Sequence, residues 1–249
     1  RVELLKEEKL EDVIGTVMGL TDILLPGERE LLSISGKNTT QEAADFSVRT
    51  RRAIFSSSST TRIVFTCGIL VVGAGLGVAI AVFLPISGAQ FNPAVTLALL
   101  ARRELEPGAA LQIMTAQLAG GIGGLVVANL MFASELMAVA SIDRGGAGRF
   151  VSEVFATFGL VLVILLLVDA GRRSLIPVAV GAWVTTIIVA TVSTGFANPV
   201  VTIARVFTDS YTGIEPGSVA PFVVAQLLGA VAAVGAAAAM NPQRKAANV

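Results

Sequence analysis

The sequence predicts an all-α membrane protein, an inverted repeat with two helices that each cross only half of the membrane. Mean hydropathy is +0.78 and only 14% of the residues are charged, a composition typical of membrane proteins. Two uncharged stretches are too long for one membrane span and too short for two. Each of them contains an Asn-Pro pair, and the two pairs lie 106 positions apart.

Five uncharged stretches carry the predicted spans, at 63–101, 107–134, 154–168, 174–204 and 216–243. A bilayer core of about 30 Å needs about 20 helical residues, so the second and fifth stretches hold one span each. The third reaches that length only with residues 150–153, which places Glu153 in or near the membrane. The first and fourth leave about ten residues beyond one span, and ten helical residues rise about 15 Å, half of the bilayer core.

Each Asn-Pro pair predicts the start of a half-helix. Asparagine is a favoured N-cap residue and proline a favoured first helical residue. The segments "NPAVTLA" at 92–98 and "NPVVTIA" at 198–204 share five of seven residues. The first half-helix is expected to end near Arg102 and Arg103, since their charges suit a helix C-terminus and water. Paired half-helices of this kind are built into inverted-repeat channels and transporters.

Two helix N-termini that meet at the midplane predict conduction of a small uncharged solute. They present backbone N–H groups, the positive ends of helix dipoles and asparagine amides that can donate to a passing oxygen, whereas cations meet a positive barrier. The chain has no histidine and one cysteine, Cys67, so no catalytic residue, metal or cofactor is expected. The zero net charge gives no indication of nucleic acid as a partner.

The segments "SGAQFNPAVT" at 87–96 and "STGFANPVVT" at 193–202 resemble the paired signature loops of the aquaporin, or major intrinsic protein, family. The resemblance covers about residues 63 to 240. It implies a homotetramer in the plasma membrane, with pore signature motifs at Asn92, Pro93, Ala94, Asn198, Pro199 and Val200. The segment "SEVFATFG" at 152–159 resembles the family's Glu-containing second-repeat opening, which implies that Glu153 is a buried acid bonded to loop backbone.

The resemblance also implies a selectivity constriction at Val72, Thr186, Gly195 and Val201. Val201 stands where the family usually has an arginine, and Arg205 lies one helical turn further on. Such a ring is wide and weakly polar, which favours glycerol-like polyols together with water. With "NPVVTIARVFTDSYTGIEP" at 198–216, the chain resembles bacterial aquaglyceroporin-like members linked to arsenic resistance, so arsenous acid is an implied solute.

The expected domains are a polar, charged segment at 1–62, a channel at 63–243 and a tail at 244–249. Complete family members have six spans and five are predicted here, so the first is missing or replaced. The segment "DVIGTVMGLTDILL" at 12–25 resembles the family's opening motif, but its two aspartates in 14 residues favour a short amphipathic helix. The positive-inside rule predicts a cytoplasmic C-terminus. In the family's orientation, segment 1–62 would then lie outside with its arginines just before the first span, and this violates the rule.

Two alternatives stay open beside a conducting channel. The missing span favours a truncated relative that does not conduct and acts only in assembly. A proton-coupled transporter would use Glu153 as a relay, although such transporters usually have several intramembrane ionisable groups. Gln117 and Gln226 are expected to form interhelical hydrogen bonds, and the glycines of "GAGLG" at 73–77 are expected at close helix contacts.

Overall fold

The computed structural model describes residues 59–241, with side chains from residue 69 onward. Its α-helices are α1 (Ser59–Ser87), α2 (Pro93–Ala101), α3 (Pro107–Met131), α4 (Ala147–Asp169), α5 (Ile176–Ala190), α6 (Pro199–Ala204) and α7 (Pro216–Met240). Single 3-10 turns, Arg173–Leu175 and Arg205–Phe207, precede α5 and follow α6. The predictions for residues 12–25 and for the tail at 244–249 lie outside the described residues, as does nearly all of the segment 1–62.

Within the described residues, five helical segments are long and apolar enough to cross a membrane, which agrees with the five predicted spans. They are Ile69–Ser87, Pro107–Met131, Ala147–Asp169, Arg173–Ala190 and Pro216–Met240. The helices α2 and α6 have nine and six residues, too few to cross. The described part of the chain is therefore all-helical and multi-pass, as expected for a membrane protein of the predicted class.

Both short helices begin at the predicted asparagines. Asn92 has extended backbone, and its Oδ1 accepts a hydrogen bond from the N–H of Ala94 at 2.9 Å. Asn198 does the same for the N–H of Val200 at 3.0 Å. The second short helix is shorter than the predicted ten residues, because the chain tightens into the 3-10 turn Arg205–Phe207.

The far end of α2 is held by ion pairs. The helix ends at Ala101 with Arg102 as its C-cap, as the sequence predicted. The Arg102 guanidinium pairs with Asp169, the last residue of α4, and lies 2.7 Å from Glu104. The charge that was expected to seek water is therefore used to tie the end of the half-helix to a neighbouring span.

Two of the three glycines in the 73–77 segment lie at close helix contacts, as predicted. A Cβ at Gly73 would collide with the carbonyl of Gly181 in α5, and one at Gly77 would lie 3.0 Å from the carbonyl oxygen of Pro177. Gly75 has no such neighbour among the described residues. The first and fifth helices therefore approach each other backbone to backbone.

The two repeats differ in how well their last spans are covered. The seventh helix, α7, buries eight residues and packs its Gly229 against α4, where a Cβ would collide with the carbonyl of Val154 and lie 2.9 Å from the nitrogen of Phe158. The equivalent α3 buries only two residues, and Gly120, which corresponds to Gly229, has no atom within 4 Å of a Cβ position. No described part of the chain covers this face of α3.

Candidate pore and signature loops

The two signature loops are joined by a reciprocal pair of hydrogen bonds. The Asn92 Nδ2 donates to the carbonyl of Ala197 at 2.6 Å, and the Asn198 Nδ2 donates to the carbonyl of Phe91 at 2.9 Å. Each acceptor precedes the opposite asparagine, so the N-termini of α2 and α6 meet as predicted. One N–H of each amide therefore holds the opposite loop, and neither amide donates to a second acceptor among the described residues.

The loop backbones also repeat. Gly88 and Ala89 have positive φ angles of 76° and 49°, and Thr194 and Gly195, 106 positions later, have 61° and 53°. A β-branched residue such as Thr194 rarely adopts this conformation, which marks the loop as a strained position. At Gly195 a Cβ would lie 2.6 Å from the Ile187 side chain of α5. This close packing is enough by itself to require glycine at the position.

Glu153 anchors the second loop. Its carboxylate oxygens accept hydrogen bonds from the N–H groups of Phe196 and Ala197, both at 2.9 Å, and from the Gln226 amide at 2.6 Å. The side chain is completely buried. These contacts confirm the predicted role of an acid bonded to loop backbone, because the two oxygens hold three donors of the pore structure.

The two glutamines hold equivalent half-helices. Gln117 donates to the hydroxyl of Thr96 at 2.9 Å, and Gln226 donates to the hydroxyl of Thr202 at 2.8 Å. Each threonine lies four residues after the asparagine of its signature loop. The prediction of interhelical hydrogen bonds is therefore confirmed for both glutamines.

Within residues 59–241, no counterpart of Glu153 bonds the first loop. The residues equivalent to Phe196 and Ala197 are Gln90 and Phe91, and no described residue accepts a hydrogen bond from their backbone N–H groups. The uncovered face of α3 belongs to the same repeat as this loop. In the second repeat, α4 carries Glu153 and packs against α7. A span equivalent to α4 would therefore lie beside both the first loop and the uncovered face of α3.

Two adjoining cavities lie along the signature loops. One has a volume of about 320 Å³ and is lined by both asparagines and mainly aliphatic side chains. The other has a volume of about 480 Å³, and its lining includes Gln90, Glu104 and Arg173. Both are bordered by Ile80 and Val95, so the larger cavity adjoins the smaller one beside the first signature loop.

The smaller cavity brings together three of the four predicted constriction residues, Val72, Gly195 and Val201. Thr186 does not line it: this residue is exposed on α5, and its hydroxyl donates to the carbonyl of Ala182 at 2.9 Å. The neighbouring Val184 and Ile188 line the cavity instead. A role of these residues in selectivity stays a prediction.

The remaining signature residues support the helices rather than the cavity wall. Ala94, Pro199 and Val200 are buried and Pro93 is half-buried, and none of them lines the smaller cavity. A Cβ at Gly121 in α3 would collide with the Val200 side chain. This contact fits α6 closely against the third helix.

Arg144, which sequence reasoning missed, is a buried residue of the loop before α4. Its Nε donates to the carbonyl of Gly213 at 2.7 Å and its Nη2 to the carbonyl of Tyr211 at 2.8 Å. Burial lowers the pKa of Arg144 below its ordinary value. Its neighbours come from distant parts of the chain, so only a strongly polar residue in a glycine-rich loop, "DRGGAGR" at 143–149, could have drawn attention to it.

Comparison with known proteins identifies the family. The model of the major intrinsic protein family matches residues 46–195. Aquaglyceroporin AqpS of Rhizobium meliloti (strain 1021) is 41% identical over 65% of this chain and 69% of its own length. Aquaporin-8 of Botryotinia fuckeliana (strain B05.10) is 38% identical over 45% of this chain and 36% of its own length. The propanediol uptake facilitator PduF of Citrobacter freundii is 28% identical over 68% of this chain and 59% of its own length. The chain belongs to the major intrinsic protein family, whose members are membrane channels and not enzymes.

Proposed function

We propose that this chain conducts glycerol-like polyols and arsenous acid together with water. The observation that carries the proposal is the cavity of about 320 Å³, in which a valine, Val201, stands at the family's usual arginine position. A water molecule takes up about 30 Å³ of liquid, so the cavity has room for a larger solute. The names of two relatives, an aquaglyceroporin and a propanediol uptake facilitator, support a solute of this class.

The arrangement of the half-helices supports exclusion of ions. The meeting N-termini place two positive dipole ends and the second N–H groups of Asn92 and Asn198 at the junction of the two loops. A neutral hydroxylated solute can accept these hydrogen bonds, whereas a cation is repelled. The proposed constriction includes Val72, Gly195 and Val201. Thr186 belongs to it only on the basis of the resemblance.

The proposal includes a homotetramer in the plasma membrane with a cytoplasmic C-terminus. Four arginines support this orientation through the positive-inside rule. Arg102 and Arg103 follow α2, while Arg172 and Arg173 precede α5. The family supports the tetramer.

A non-conducting relative is the second candidate. It is favoured by the face of α3 that no described residue covers and by the first loop, to which no described acid is bonded as Glu153 is to the second. If the first repeat needs such a span to hold its loop, the pore would not form. Flux measurements separate this candidate from a channel.

The full chain reconstituted in lipid vesicles tests the proposal by stopped-flow light scattering. Glycerol and arsenous acid are expected to enter faster than into protein-free vesicles, without a sodium current. Absence of flux for every solute would support the assembly role. Uptake that requires a proton gradient would support the transporter.

A further inference from the structure

Arg205 lies on the wall of the smaller cavity. It begins the 3-10 turn that follows α6, four residues after Val201. Among the described residues, no acceptor forms a hydrogen bond or an ion pair with its guanidinium. Its backbone carbonyl accepts from the N–H of Ile214 at 3.3 Å, so the start of the turn is fixed while the donors of the side chain stay available.

Phe196 positions this guanidinium. The central carbon of the Arg205 guanidinium lies 4.1 Å from the centre of the Phe196 ring. The ring is itself fixed, because it is 6% exposed and packs edge-on against Phe222 at 5.4 Å between centres. Stacking uses the flat face of a guanidinium and leaves its N–H groups free at the edge.

Arg144 shows the contrast. Its guanidinium carbon lies 4.9 Å from the centre of the same Phe196 ring, but its N–H groups donate to the carbonyls of Gly213 and Tyr211. One arginine therefore joins loops to one another, and the other presents its donors at the cavity wall. The same aromatic ring holds both.

The cavity offers few other donors. Its lining is mainly aliphatic, and the polar side chains there are Asn92, Asn198, Thr194 and Arg205. Each asparagine uses one amide N–H to hold the opposite loop. A solute hydroxyl that leaves water for this cavity therefore needs new hydrogen bonds, and the guanidinium carries the largest set of donors.

We propose that Arg205 is a specificity-determining residue of the pore. Its N–H groups donate to the hydroxyl oxygens of a neutral solute, and its charge repels cations. Val201, at the family's usual arginine position, provides neither a donor nor a charge. This inference rests on the proposed function and names the group that recognises the solute. The charge is displaced by one turn from the family's usual arginine position, which leaves the ring around Val201 open.

The test compares Arg205→Met with Arg103→Met, which removes the same charge at an exposed residue outside the cavity. The ratio of glycerol flux to water flux in vesicles does not depend on how many channels are folded. We expect Arg205→Met to lower this ratio about tenfold, the effect of one lost hydrogen bond to a charged donor, and to raise sodium current. Arg103→Met should change neither quantity.

Arg205→Lys is the second variant, and it keeps the inference testable if Arg205→Met does not fold. Lysine keeps the charge but loses the planar guanidinium that lies over Phe196, so we expect an intermediate flux ratio with no sodium current. An unchanged or higher ratio in both Arg205 variants, with normal glycerol flux in the unmodified chain, would overturn this inference alone. Absence of glycerol flux in the unmodified chain would overturn the proposed function, and the inference with it.

Discussion

Replacing Glu153 with glutamine should loosen the second signature loop. The carboxylate holds the N–H groups of Phe196 and Ala197, both at 2.9 Å, and the Gln226 amide at 2.6 Å. A glutamine amide has one oxygen and one NH₂ group. Whichever way it turns, one buried backbone N–H faces another donor and loses its acceptor.

The magnitude follows from this change. A buried donor without an acceptor costs about 1–3 kcal/mol, and hydrogen bonds to a charged group contribute about 1.5–3 kcal/mol. One orphaned N–H and the weakening of the remaining neutral bonds should lower the free energy of unfolding by about 2–4 kcal/mol. Because Asn198 follows this loop directly, we also expect lower glycerol flux.

The measurement is denaturant-induced unfolding in detergent, with stopped-flow glycerol uptake in vesicles. Glu135→Gln is the matched control, since it removes the same charge at an exposed loop residue. Glu153→Asp keeps the charge but shortens the side chain, and should fall between the two. If Glu153→Gln unfolds and conducts like Glu135→Gln, the carboxylate does not hold the loop.

Three further predictions follow from the cavity, the repeat and the loop junction. Val201→Arg should reduce glycerol flux much more than water flux in stopped-flow swelling, because the longer side chain takes up the volume at the ring that valine leaves open, and glycerol needs more of this volume than water; equal loss of both fluxes would mean general damage. Gly229→Leu should destabilise the chain by about 1–3 kcal/mol or more through overpacking against α4, while Gly120→Leu on the uncovered face should be nearly neutral; similar unfolding midpoints for the two variants would contradict the difference between the repeats. Asn92→Asp keeps the cap of α2 but turns a donor to the Ala197 carbonyl into an acceptor, so solute flux should fall while helicity by circular dichroism is retained; unaltered flux would show that the reciprocal hydrogen bonds are dispensable.

The spans and half-helices were predictable because they depend on local sequence. Stretch length limits how many times the chain can cross the bilayer, and the Asn-Pro pairs specify helix starts through capping. The role of Glu153 was also accessible, although only through its place in a recognised motif. These features need no knowledge of which distant residues come into contact.

The contacts between distant segments were not predictable in the same way. The bonds between Asn92 and Ala197 and between Asn198 and Phe91 depend on how closely the loops approach, which sequence spacing does not give. Alignment placed Thr186 at a filter position, but one residue turns a helix by about 100°, so a small rotation of α5 determines which side chains face the cavity. The use of Phe196 to hold Arg205 likewise depends on tertiary packing.

One residue, Ala197, connects the only described acid at the loop junction to both signature loops. The N–H of Ala197 binds Glu153, and the carbonyl of the same residue accepts from Asn92. The first loop, which has no acid of its own among the described residues, thus receives its position through the second. A single carboxylate therefore fixes the position of both signature loops, and a displacement of Ala197 would move the two asparagines together.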